Sequence, residues 1–155
     1  MTTFIVYDSI FGNTATIAKA IAAGRSSDAS VRLLSPTEAR SLELASGDLL
    51  IVGSPTRGFA ATPAINEFLA GLGPIAAGVR AAAFDTRLAP ETVHPAPLRW
   101  VVEAGGYAAK RIAEVLRQKG FAVAGDEGGF AVQGTEGPLK PGEVERAEAW
   151  ARALP

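Results

Sequence analysis
The chain has 155 residues, of which 48% are hydrophobic and 20% charged, and its net charge is −1. That length and balance describe one globular domain, residues 1–155, with a core that needs no covalent staple, and they exclude a general electrostatic pull toward nucleic acid or acidic membranes. The absence of cysteine excludes disulfides, thiolate metal ligands and cysteine nucleophiles.

The first element is the apolar run "TFIVYD" (Thr3–Asp8), a strand with both faces covered. No basic leader precedes it and no apolar run approaches the ~20 residues of a membrane span, so a cytoplasmic location is expected. A tight turn, Ser9-Ile10-Phe11-Gly12-Asn13-Thr14, leads to a helix whose apolar stripe is Ile17, Ala18, Ile21 and Ala22. "VRLLS" (Val31–Ser35) is the second strand, followed by at most a short helix before Gly47. "DLLIVGS" (Asp48–Ser54) is the third strand and runs into the loop "GSPTRGFAATP". Thr62 and Pro63 then form an N-cap and first turn for Ile65, Phe68, Leu69 and Leu72.

"VRAAAFD" (Val79–Asp85) is the fourth strand. A long segment, Leu88–Glu103, follows it and holds the only histidine, His94, together with Trp100. From Tyr107 a helix buries Ala108, Ile112, Val115 and Leu116 and stops at Gly120. "FAVAG" (Phe121–Gly125) opens a fifth strand that "GGFAVQG" (Gly128–Gly134) continues after an interruption. Pro141 opens a last helix with Val144, Ala147, Ala151 and Leu154 inward.

Strands alternating with helices predict an α/β, doubly wound, five-stranded parallel sheet with helices on both faces. Such sheets bind ligands beyond the carboxyl ends of the strands, where the strand order reverses, which singles out the loops after strands one, three and four. In the first loop, hydroxyls at Ser9 and Thr14, the Asn13 amide and the N–H groups of the first helical turn are anion donors. Lys19 is the only cation between Tyr7 and Ile21, so an anion there would be held by dipoles and neutral donors. The bland reading is a turn in which Asn13 or Thr14 caps the helix. Walker and Gly-x-Gly-x-x-Gly phosphate loops are absent.

Together the three loops resemble those of the flavodoxin family. Ser9-Ile10-Phe11-Gly12-Asn13-Thr14 matches the family's Thr/Ser-x-Thr-Gly-x-Thr phosphate loop except at Phe11, where the family has a hydroxyl residue. Gly53-Ser54-Pro55-Thr56 matches its second loop, and "VQGTEGPLKPGEVERAEAWARAL" resembles the close of its single-domain members. The resemblance implies strand order 2-1-3-4-5 and FMN as cofactor. Ser9, Ile10, Phe11, Gly12, Asn13 and Thr14 would then hold the FMN phosphate. Pro55, Thr56, Arg57, Gly58 and Phe59 would flank one face of the flavin ring, with a backbone group near Gly58 at its N5. Phe84, Asp85, Thr86 and Arg87 would meet the pyrimidine edge, and Trp100 would stack from the long segment. The family's aromatic sandwich is replaced here by Arg57 and Phe59. The implied function is electron transfer between a reductase and an acceptor protein, with no nucleic-acid or membrane partner. A flavodoxin-type NAD(P)H:quinone reductase and a non-redox binding module that has lost FMN are the alternatives.

Overall fold
The interior residues of the first and third strands are buried, as their apolar runs require, and in the fourth only Arg87 among the interior residues is partly exposed. The computed structural model describes residues 1–88 and 106–155. Its strands are β1 (Thr2–Tyr7), β2 (Ser30–Leu34), β3 (Leu49–Pro55), β4 (Arg80–Leu88), β5 (Ala122–Val123) and β6 (Gly128–Val132). The helices are α1 (Asn13–Gly24), α2 (Pro63–Ala70), α3 (Ala108–Gln118) and α4 (Glu143–Ala153), with a 3-10 turn at Glu38–Ser41.

The sheet is parallel throughout in the order β2-β1-β3-β4-β5, and β6 also pairs with β4. The interrupted fifth strand is therefore two short pieces on one edge of β4: Ala81 pairs with Val123 and Phe84 with Gly128. Side-chain alternation divides the core into two layers. Ile5, Leu49, Ile51, Ala82 and Phe84 face α1 and α4, where they meet Ile17, Ile21, Phe130 and Ala147. Phe4, Val6, Leu50, Val52 and Ala83 face α2 and α3, against Ile65, Phe68, Ile112 and Leu116. Each large side chain hidden in this way contributes on the order of 1.5–3 kcal/mol.

The α1–α4 contact depends on small residues. A Cβ at Gly24 would come 2.3 Å from the Glu148 carbonyl oxygen. Beside it Arg25 donates from Nη1 to the carbonyls of Ala151 and Leu154 at the end of α4, while its other nitrogens pair with Asp28. One buried guanidinium thus satisfies the orphan C-terminal carbonyls of a neighbouring helix.

Two expectations need correction. Strand β4 continues to Leu88 rather than ending near Asp85, because β6 supplies partners for Phe84 through Leu88. Val144 is 38% exposed rather than inward. Helix α4 starts after Gly142, at φ 87°, so its inward row is Glu143, Ala147 and Ala151, with Leu154 beyond its end, and Val144 sits a helical step to one side. Glu143 takes an inward position because its carboxylate accepts the Ala131 N–H and pairs with Arg146.

The outer edge of β6 is occupied by the chain's own return. Val132 bridges Leu139 in antiparallel fashion, Gln133 N–H donates to the Pro138 carbonyl, and Lys140 N–H donates to the Ala131 carbonyl. Arg146 also donates to the Gly129 carbonyl.

Two outcomes follow from these contacts. A Cβ at Gly53 would lie 2.0 Å from Cζ of the fully buried Phe84 ring. Gly53→Ala is therefore expected to destabilise the protein by about 1–3 kcal/mol in urea unfolding. The hydrogen bond from Arg146, opposed by partial burial, holds the Glu143 carboxyl below its ordinary 4.5. A depressed carboxylate stabilises the fold above its unfolded pKa and loses that contribution as pH falls through the folded value. Glu143→Gln is thus expected to lower the thermal midpoint at pH 7, with the difference from wild type shrinking below about pH 4.5; a pH series of melting curves measures it.

Candidate functional site
At the β1–α1 turn the backbone curls through Gly12, at φ 95°, with open space where a Cβ would point. The Ser9 hydroxyl oxygen accepts from the N–H groups of Gly12 (3.2 Å) and Ala15 (3.3 Å). Ser9 is thus the residue that caps the helix, in place of Asn13 or Thr14. Asn13 Nδ2 instead donates to the Glu136 carbonyl at 3.0 Å, fastening the turn after β6 to the start of α1. The Thr14 hydroxyl, 1% exposed, lies 2.8 Å from that of Thr86. The N–H groups of Asn13 and Thr14 lie in the first turn, where helix geometry gives them no internal acceptor.

The second loop contains a two-residue hairpin. Arg57 and Ala60 exchange reciprocal backbone bonds of 2.8 and 3.0 Å around Gly58 (φ 53°) and Phe59 (φ 66°). Positive φ at both central residues is the type I′ pattern. Phe59 is the only non-glycine residue with positive φ among those described, and Arg111 Nε donates to its carbonyl at 2.6 Å. The Arg57 guanidinium carbon stands 5.7 Å from the centre of the exposed Phe11 ring, a cation–π contact between the first and second loops.

On β4, alternation splits the segment that was expected to act as one surface. Phe84 and Thr86 point toward the α1 side. Phe84 is completely buried between Gly53 and Gly128, packed on Phe130 and Trp150, so it is core. Asp85 points to the α3 side and is also inaccessible. Its carboxylate accepts from Arg87 Nε (2.7 Å), Arg87 Nη2 (2.8 Å) and the Ala109 N–H (2.9 Å). Burial pushes this carboxyl above its ordinary value, against the opposing pull of Arg87 and the helix N–H. The Arg87 guanidinium in turn lies 3.7 Å from the centre of the Tyr107 ring. It occupies space that a Cβ at Gly129 would enter at 2.4 Å. Thr56 joins the same junction: its hydroxyl oxygen accepts the Ala108 N–H at 3.0 Å, and its own N–H donates to the Thr86 carbonyl at 2.9 Å.

These loops enclose a cavity of about 260 Å³ at the carboxyl ends of β1, β3 and β4. Ile10, Phe11, Asn13 and Thr14 line it from the first loop, Pro55, Thr56, Arg57 and Gly58 from the second, and Thr86 and Arg87 from β4. Ser9, Gly12, Phe59, Phe84 and Asp85 do not line it: Ser9 and Gly12 shape the turn, Phe59 shapes the hairpin, and Phe84 and Asp85 lie beneath. Trp100 falls outside the described residues. Leu88, Val132 and Thr135 also line the cavity and were not expected there. Only the pairing of β6 along β4 brings them in, and the sequence signals that pairing no further than the apolar run itself. No carboxylate lines the cavity among the described residues; its cations are Arg57 and Arg87. A larger groove of about 480 Å³ lies between the 3-10 turn and α2 and contains none of the expected residues.

No protein-family model and no curated protein sequence matches the chain. Solved structures do. A flavodoxin from the domain Archaea superposes with a TM-score of 0.65 at 22% identity, over 98% of this chain and 94% of its own. Oxidised flavodoxin 2 from Bacillus cereus superposes at 0.67 and 19%, over 97% and 95%. Rubredoxin oxygen:oxidoreductase from Desulfovibrio gigas superposes at 0.70 and 20%, over 99% of this chain but 35% of that protein, so the chain spans about a third of that enzyme's length. At such identities the likeness establishes the fold, which is flavodoxin-like. No described helix is long and apolar enough to cross a membrane.

The Asp85 junction has a direct test. Asp85→Ala strands the Ala109 N–H and the half-buried Arg87 together, and is expected to cost about 3–5 kcal/mol in urea unfolding. Asp85→Asn, which keeps an acceptor for Ala109, is expected to cost less.

Proposed function
We propose that residues 1–155 form one FMN-binding domain that carries electrons between a reductase and an acceptor protein in the cytoplasm. The observation that carries this reading is the cavity's position: it lies at the topological switch between β1 and β3 of a flavodoxin-like sheet, with the start of α1 on its wall. The residues fit the cofactor's two ends. For a phosphate they offer the N–H groups of Asn13 and Thr14 and the Ser9 hydroxyl, whose proton remains available because Ser9 acts as acceptor toward the backbone. Gly12 leaves the approach clear. A planar apolar ring would be met by Phe11, Leu88 and Val132, with the Arg57–Ala60 hairpin as rim. The size fits a ring held at an open cleft, since 260 Å³ lies just below the roughly 300–1,000 Å³ of small-molecule pockets.

Bound FMN would supply the one- and two-electron chemistry. The chain's own part is to hold, orient and partly desolvate it, and no side chain is needed as acid or base. The redox partner would approach where Ile10 and Phe11, 49% and 45% exposed, surround the cavity mouth. Among the described residues, Arg57 and Arg87 are the only cations that line the cavity, fewer than a nucleotide triphosphate site calls for.

Titration of apoprotein with FMN and with riboflavin tests the reading. FMN is expected to bind at least tenfold more tightly, and binding of neither would overturn the proposal. Anaerobic mixing with NADPH and a quinone is expected to give no sustained turnover; sustained turnover would point to a quinone reductase instead. Gly12→Asp places a carboxylate at the mouth of the phosphate cradle, at a positive φ of 95° that an L side chain adopts only with strain. It is expected to weaken FMN binding by tenfold or more, with a small drop in the thermal midpoint and riboflavin binding altered far less.

A further inference from the structure
Two hydroxyls at the floor of the cavity carry an obligation that the proposed function leaves open. Thr14 is 1% exposed and Thr86 4% exposed, both line the cavity, and their oxygens are 2.8 Å apart. Each hydroxyl carries one proton, and a single bond between them uses one of the two. Among the described residues neither hydroxyl has any other side-chain or backbone partner. One proton of the pair therefore has no acceptor among the described residues and lies at the cavity wall, at the N-terminal turn of α1. A donor so placed gains most from an acceptor that arrives with a ligand and displaces solvent from the cavity.

We propose that Thr86 is a specificity-determining residue for a phosphate monoester, acting through Thr14, and that it serves the anion end of the cavity and not the ring end. This deepens the FMN reading and rests on it. A phosphate near neutral pH only accepts hydrogen bonds. It orders the pair in one direction: Thr86 donates to Thr14, and Thr14 donates to the phosphate oxygen. Aligned hydroxyls polarise one another, so the bond to the anion is stronger than Thr14 alone would make it. The position of Thr86 follows from strand alternation. Phe84 and Thr86 share the α1-facing side of β4, Phe84 fills the core beneath, and Thr86 is the next residue up on that side. Its backbone is fixed on both sides, by Pro55 of β3 and Phe130 of β6, and its carbonyl accepts the Thr56 N–H. The donor is therefore held in place before the ligand arrives. Phe11, where the resemblance calls for a hydroxyl, removes one donor from the first loop, which places more weight on Thr14 and on the Thr86 hydroxyl that supports it.

The test compares FMN with riboflavin, which lacks only the phosphate, by flavin-fluorescence titration of apoprotein. Thr86→Val keeps the shape and removes the hydroxyl. It is expected to weaken FMN about five- to twentyfold while leaving riboflavin within twofold, and Thr86→Ser is expected to restore FMN binding. Because Thr86 acts through Thr14, the Thr14→Val/Thr86→Val double variant is expected to lose no more FMN affinity than Thr14→Val alone. Equal weakening of both ligands by Thr86→Val, no weakening of either, or additive losses in the double variant would each overturn the inference. Should Thr86→Val fail to fold, Thr86→Ala in the same comparison decides it on the same criteria. Wild-type protein that binds neither flavin overturns the FMN reading and this inference together. Wild-type preference for FMN that is unchanged in Thr86→Val overturns the inference alone.

Discussion

A carboxylate with no access to water is the constraint around which the ligand edge is assembled. Asp85 sits on the buried strand β4 and must be compensated from several directions at once, because an isolated buried charge is far too costly to leave. The bidentate grip of Arg87 provides countercharge, and the Ala109 N–H provides the positive end of α3. Thr56, from the loop after β3, takes the neighbouring Ala108 N–H. A helix, a strand and a loop are thereby registered to one another through a few polar contacts. Apolar packing alone tolerates sliding of a helix along a sheet. Directed bonds to the helix's first two N–H groups do not. The arrangement also fixes the Arg87 guanidinium on Tyr107, so one of the cavity's two cations is held rigidly while Arg57 rests on an exposed ring.

The layers of the fold were legible because burial on both faces leaves an unmistakable mark. The runs through Phe4–Val6, Leu49–Val52 and Ala81–Phe84 contain no polar residue, and the helical stripes around Ile17, Ile65 and Ile112 show the matching period. The interruption near Gly125 was also readable. The site was legible as a set of loops and less so as individual side chains. Period-two alternation turns Phe84 and Asp85 in opposite directions, both away from the cavity, and a four-residue segment treated as one surface hides that. The length of β4 depends on β6, a partner more than forty residues away, so neither Leu88 nor Val132 announces itself as cavity wall. The sequence marks Ser9 as a hydroxyl near the helix start but does not show that its oxygen accepts the N–H groups of Gly12 and Ala15.

On the proposed reading, the cavity's chemistry reconciles two features that look opposed, an anion site and few cations among the described residues. Helix N–H groups, hydroxyls and a glycine provide a concave surface of partial positive charge without fixed charges that would repel one another in the empty state. Such a surface discriminates by geometry more than by Coulomb attraction, so its selectivity depends on bond directions set by Gly12, Asn13 and Thr14. Asn13 adds a mechanical link, since its amide ties the turn after β6 to the same helix start.

The doubled-back segment after β6 has a consequence beyond the site. Parallel sheets end in strands whose outward N–H and C=O groups invite another chain to add itself. Here Ala131 bonds outward to Glu143 and Lys140, Gln133 bonds to Pro138, and the Gly129 carbonyl is taken by Arg146. A strand from a second molecule would find the hydrogen-bonding valences along this margin already filled. The chain thereby guards its own boundary against strand-to-strand aggregation, next to a cavity mouth that must stay open to solvent and to a ligand.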